Sequence, residues 1–164
     1  MARTDMVILE EDHARFTSML DGLREDANAS LVFLLDKNGQ QIAQTGELND
    51  VDPTSLASLT AGAVAATEGL AQSIGEADFS TLFHEGQKDH LHLSVIADKV
   101  ILLVIFDERS SLGLVRLRVE KVMKGLASVV SQVLSRTDGE SAAAVAVAAS
   151  LSEITDEDVD ALFG

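Results

Sequence analysis

The sequence predicts an α/β fold of the α+β sandwich type, with a single five-stranded antiparallel sheet and helices on both faces. Three observations predict it. Apolar residues recur at helical spacing in three segments, short apolar runs mark five strands, and the connections between successive strands are only a few residues long. Short connections join antiparallel neighbours, because parallel strands need long crossovers. The expected order is α-β-β-α-β-β-β-α within one domain over residues 8–136, followed by a linker over 137–150 and a helix within 151–164.

The first element runs from Glu10 to Ala27, where Phe16, Leu20, Leu23 and Ala27 form an apolar stripe among charged residues. Leu31 to Leu35 is a continuous apolar run, the mark of a strand buried on both sides. Asp36, Lys37, Asn38 and Gly39 supply an Asn-Gly turn into a second strand around Gln41 to Thr45. Three more strands follow a helix: Phe79 to His84, Leu91 to Ala97 and Val100 to Phe106. The last lacks alternation and belongs at the centre of the sheet. A long helix from Leu112 to Leu134 buries Val115, Val119, Val122, Leu126, Val129 or Val130, and Val133.

The helix between the second and third strands, Asp52 to Gly75, carries the most information. Asp52 is its N-cap, Pro53 its first residue and Gly75 its stop. Leu56, Leu59, Ala63, Ala66, Leu70 and Ile74 share one side, which is the expected core stripe. Thr54, Ala57, Ser58, Ala61, Ala65, Glu68, Gly69 and Gln72 share the other. Solvated helix faces are normally rich in Lys, Glu and Gln, whereas this one has a single charge and many small residues. Small residues let another backbone approach closely, so this side is read as a partner-binding seat. Gly62 and Gly69 each lower helix propensity by roughly 1 kcal/mol relative to Ala and need a further reason to be there.

Residues 137–150 are mainly Ala, Ser and Gly and are expected to be a flexible linker. Beyond them Thr155 can cap a helix with Asp158 three residues on, and Ile154 and Val159 are spaced as a hydrophobic staple. Leu162 and Phe163 complete an apolar edge on an acidic background. A helix this short is marginal alone, so residues 151–164 should order only against a groove.

The 164 residues suit one core-bearing domain and a tail. Twelve basic against 27 acidic residues give a formal charge of −15, which disfavours nucleic acid and anionic membrane as partners. There is no cysteine, hence no disulfide framework and no thiolate nucleophile. The acidic start of the chain is unlike a signal peptide, and no run approaches 18 apolar residues, so a cytoplasmic location is expected.

Chemistry is sparse. No Gly-rich phosphate loop is present, so the chain is not expected to hold a nucleotide itself. His84, His90 and His92 could meet across a hairpin, but no fourth ligand is evident and no metal is expected. No acid-base constellation can be assembled, which leaves no catalytic residue, cofactor or small-molecule substrate to name. Arg109 could be offered to a partner's phosphate; pairing with Asp107 or Glu108 is the simpler expectation. Arg116, Arg118, Lys121 and Lys124 cluster on the last helix, by default a solvated face.

Five segments together resemble the roadblock (dynein light chain) family. They are Val32 to Gln40 (VFLLDKNGQ), Ser55 to Glu76 (SLASLTAGAVAATEGLAQSIGE), Phe83 to Asp89 (FHEGQKD), Val104 to Arg118 (VIFDERSSLGLVRLR) and Glu153 to Phe163 (EITDEDVDALF). The resemblance implies a roadblock/profilin-like fold and a homodimer in which the second helices pair antiparallel and edge strands join the two sheets. It implies a partner, a Ras-like small GTPase of the MglA type, activated by repositioning of its own switch residues without an arginine finger. It further implies a role in bacterial cell polarity and gliding motility, with enrichment at a cell pole. Ala65 and Gly69 match the family's partner-binding helix, and Ile154 to Phe163 its C-terminal segment that also engages the GTPase. A roadblock-type scaffold that leaves GTP turnover unchanged is the alternative.

Overall fold

A computed structural model of the chain describes residues 6–152. The elements are α1 (Glu10–Ala27), β1 (Leu31–Asp36), β2 (Gln41–Gly46), α2 (Pro53–Ser73), β3 (Thr81–Glu85), β4 (His90–Ile96), β5 (Val100–Phe106) and α3 (Leu112–Ser152). This is the order read from the sequence. The five strands form one antiparallel sheet in the order β2-β1-β5-β4-β3, which places β5 at its centre.

Strand alternation divides the core in two. Leu31, Phe33, Leu35, Leu93, Ile101 and Leu103 project to one face and pack with Ala57, Ala61 and Val64 of α2. Val32, Leu34, Val100, Leu102, Val104 and Phe106 project to the other and are buried, as are Phe16, Leu20 and Leu23 of α1 and Val115, Val119 and Leu126 of α3. α1 and α3 lie side by side there: a Cβ added at Gly125 would fall 2.5 Å from Met19 Cε.

Local chemistry fixes the turns. Asp36 Oδ1 accepts hydrogen bonds from the backbone N–H groups of Asn38 (2.9 Å) and Gln40 (3.0 Å), and Gly39 takes the positive φ of +88° that closes the first hairpin. Ala97 and Asp98, at φ 51° and 58°, take the two central positions of the turn between β4 and β5, closed by Lys99 N–H donating to Ile96 O (3.1 Å), with the primed geometry that suits strand twist. Helix α2 ends in a Schellman arrangement, with Glu76 N–H donating to Ala71 O (2.9 Å) and Gly75 at φ +80°.

Residues 137–150 are not a flexible linker. They continue α3, which runs unbroken to Ser152. The low apolar content that suggested a linker is mostly alanine, the best helix former, and no proline interrupts the stretch. The described chain divides into two compact units, Ile8–Ser131 and a smaller one that joins Met6 and Val7 to residues 132–152. In the smaller unit Thr137 Oγ1 accepts from Val7 N–H (3.1 Å) and donates to Val133 O (2.8 Å). The expected C-terminal helix, with Ile154, Asp158, Val159, Leu162 and Phe163, lies outside the described residues. Among the described residues no helix is long and apolar enough to cross a membrane.

Gly46 ends β2 at φ +113°, and a Cβ there would fall 2.3 Å from Ser30 O and 2.9 Å from Leu31 Cα. Gly46→Ala is therefore expected to destabilise the fold by about 2–3 kcal/mol, read as a lowered urea midpoint with an unchanged slope.

Candidate functional site

The sequence marks α2 as a helix with two different sides; the structure turns most of the expected core stripe outward, while Thr54, Ser58, Ala65, Gly69 and Gln72 of the other side are exposed too. Leu59, Leu70 and Ile74, expected in the core, are 73%, 63% and 69% exposed. Ala66 is exposed too, and Leu56 and Ala63 are half-buried. The inward side carries Ala57, Thr60, Ala61, Val64 and Ala71. Ala57 and Ala61, read as partner-facing, are thus core residues.

Packing explains the reversal. The sheet face under α2 is already filled by large residues such as Phe33, Leu35 and Leu103, so the helix can approach only with short side chains inward. Leucines there would overpack the layer. The first hairpin adds to the crowding, since a Cβ on Gly39 would lie 3.2 Å from Ser58 Cα and 3.6 Å from Ala61 Cβ. Alanine serves equally on either side of a helix, so periodicity alone could not decide.

The outward surface of α2 has two flanks. Leu59, Ala66, Leu70 and Ile74 form an apolar one, while Ser58, Ala65, Gly69 and Gln72 are exposed on the other. Ser55, Gly62 and Ser73 run between them, at about 100° per residue. A Cβ added to Gly62 or Gly69 would meet no atom within 4 Å. Nothing among the described residues requires either glycine.

Glu68 differs from its neighbours. It is half-buried and bonded to Lys37 Nζ, which also donates to Asp98 Oδ1 at 2.8 Å. Burial alone would lower the Lys37 pKa, but the hydrogen bonds from its ammonium to Asp98 and Glu68 outweigh it and raise the value above 10.5. The same ammonium holds the Asp98 carboxyl below 3.8. Lys37 therefore clamps the first hairpin to α2 and to the β4–β5 turn. Sequence reasoning missed it, because a turn lysine gives no sign of partners 31 and 61 residues away.

Strand β3 is the sheet edge beside β4, and all of its residues but Leu82 are exposed. Arg109 is tied down: its Nε donates to Asp107 Oδ1 (3.0 Å), its Nη2 to Ser30 Oγ (3.3 Å), and its carbonyl accepts from Asn28 Nδ2 (2.6 Å). The three histidines do not converge. His84 pairs with Leu91, which puts it on the opposite sheet face from His90 and His92. Among the described residues no group of three metal-ligating side chains could hold an ion.

The sequence model of the Roadblock/LC7 domain matches residues 16–106, more than half of the chain. The solved structure of MglB from Myxococcus xanthus is 49% identical, covering 78% of this chain and 96% of its own, with a TM-score of 0.73. The gliding protein MglB of Thermus thermophilus is 27% identical over 80% of this chain and 99% of its own, with a TM-score of 0.74. An MglB described as having a tetrameric arrangement is 26% identical over the same shares, with a TM-score of 0.75. Among curated protein sequences, none matches.

The Lys37 clamp has a pH signature. Its contribution is complete below the ordinary lysine value of 10.5 and is lost as pH rises through the raised native value; Asp98's share is complete above 3.8 and is lost as pH falls through the depressed one. Lys37→Met is expected to lower stability by under about 1 kcal/mol. Urea midpoints compared across pH should show a constant gap between wild type and variant over the plateau, narrowing at both extremes.

Proposed function

The chain belongs to the Roadblock/LC7 family, and from that premise we propose that it is a homodimeric activator of GTP hydrolysis by a Ras-like small GTPase of the MglA type. The observation that carries this reading is the open outer face of α2, whose large apolar and glycine positions serve no packing among the described residues. Its likeness to MglB, a gliding protein by its description in Thermus, supports a role in cell polarity and gliding motility. The protein acts in the cytoplasm, enriched at a cell pole.

The two flanks divide the work. Leu59, Leu70 and Ile74 pack against the same helix of a second copy, and the free edge of β3 extends the sheet across the dimer axis. Ser58, Ala65, Gly69 and Gln72 then present a shallow seat to the GTPase. The segment holding Ile154, Asp158, Val159, Leu162 and Phe163 supplies a second contact.

Activation needs no inserted arginine. Arg109 is held by Asp107 and Ser30, so releasing it would sacrifice those bonds. The chain instead binds the reactive arrangement of the GTPase switch regions more tightly than the idle one. Moving a switch from about 1% to about 99% reactive requires a preference of roughly 10⁴-fold, which a broad rigid face supplies better than a single side chain. The chain has no catalytic site of its own in this account.

Mixing the purified chain with GTP-loaded partner should raise phosphate release by about tenfold or more. Ala65→Arg and Gly69→Arg should each remove the stimulation while leaving the melting temperature intact, because both positions are exposed. Binding that ignores the nucleotide state, with turnover unchanged, would instead establish the scaffold reading. Leu59→Asp combined with Leu70→Asp should halve the mass seen by light scattering; a mass that stays the same removes the apolar flank from the dimer.

A further inference from the structure

On the other face of the sheet, a cleft of about 190 Å³ opens between β3, β4 and the first turns of α3. Ser80 and Thr81, His92 and Ser94, and Arg116 and Glu120 line it. His92 and Ser94 are each only 2% exposed, and His92 Nδ1 is buried with no hydrogen-bond partner. None of the six side chains makes a hydrogen bond or ion pair to a described residue. Two buried polar side chains without a partner among the described residues, His92 and Ser94, beside one cavity mark a site that takes a ligand.

We propose that this cleft binds a small zwitterion of the amino-acid class, its carboxylate on Arg116 and the hydroxyls, its ammonium on Glu120. Arg116 and Glu120 stand four residues apart on one helix face, where opposite charges normally attract. Here they remain apart, and a ligand with both charges can bridge them. Val119 and Met123 supply an apolar wall for the ligand's side chain. The volume equals that of about six liquid waters, which suits a molecule of this size.

Charge decides between ligand classes. A simple anion would approach a chain of formal charge −15, and Glu120 stands at the rim. A simple cation would face Arg116. A zwitterion adds no net charge and satisfies both groups. Burial, then the Arg116 charge, holds the His92 pKa below 6.5, so the imidazole is neutral at pH 7. A carboxylate seated on Arg116 offsets that charge and lifts the His92 value.

The cleft shares no residue with the α2 face, so a test of one leaves the other standing. The experiment is a nitrogen and carbon NMR titration of the full chain with each of the twenty common L-amino acids singly, followed by the des-amino and decarboxylated analogues of the best binder. Saturable shifts at His92, Ser94 and Val119 are expected for at least one amino acid, with an upward move of the His92 titration midpoint. Each one-charge analogue should bind about tenfold more weakly, as should Arg116→Gln and Glu120→Gln, two exposed positions. The assignment is overturned by no saturable shift with any of the twenty, by an analogue that binds as well as its parent, or by either variant binding like wild type.

Discussion

Two strands buried on both faces govern this structure. Every residue of β1 is buried, and in β5 only Ile105 is partly open. Burying a Val, Leu, Ile or Phe side chain is worth about 1.5–3 kcal/mol, so leaving either side of the β1–β5 pair bare would forfeit more than a domain's whole stability. Helices are therefore required on both sides. Two of them share one face, and α2 alone must cover the other. Five strands at about 4.8 Å spacing span roughly 19 Å between the outermost axes, nearly twice the width of one helix. A lone helix cannot roof that sheet, and its margin at β3 stays open.

That constraint also explains what the sequence revealed. Continuous apolar runs such as Val100 to Phe106 read directly as central strands, because burial on both sides leaves no alternation to misjudge. α1 was equally plain, with Phe16, Leu20 and Leu23 set among charges. The side of α2 that faces inward was illegible, because the choice depends on the height of the sheet surface beneath it. Phe33 and Leu103 set that height from distant parts of the chain. The extent of α3 was hidden for a different reason: alanine-rich sequence lacks a buried stripe whether it is helix or linker, and only propensity distinguishes the two. The partners of Lys37 and the convergence of His92, Ser94 and Arg116 are products of register, which no local pattern encodes.

The reversed helix gives the outer surface its character. With Ala57, Ala61 and Ala71 on the inside, Leu59, Leu70 and Ile74 stand in water, and two glycines stand there with them. Each glycine costs about 1 kcal/mol of helix propensity, a noticeable fraction of a net stability near 5–15 kcal/mol. Among the described residues this conformational expense has no return, since no neighbour crowds either position. In the proposed complex the return comes from a surface brought close from outside, where an absent Cβ allows backbone approach. The exposed Leu59, Leu70 and Ile74 lie on that same outer surface.

Energetics then decide how α2 and β3 must cooperate in the proposed dimer. Covering Leu59, Leu70 and Ile74 contributes at most about 5–9 kcal/mol per copy by area, and association consumes an estimated 4–15 kcal/mol of lost freedom. For a pair of helices crossing only at these residues, the two copies together gain at most about 10–18 kcal/mol. That leaves a margin of only a few kcal/mol once side-chain ordering is included. The free edge of β3 widens it, because strand addition satisfies backbone groups on both copies and fixes their rotation about the helix contact. A dimer held by helix and edge together has one geometry, whereas helices alone could slide along their apolar flanks. A GTPase that reads the small-residue flank of two helices requires that single geometry, so the strand edge, which never touches it, sets the shape of its seat.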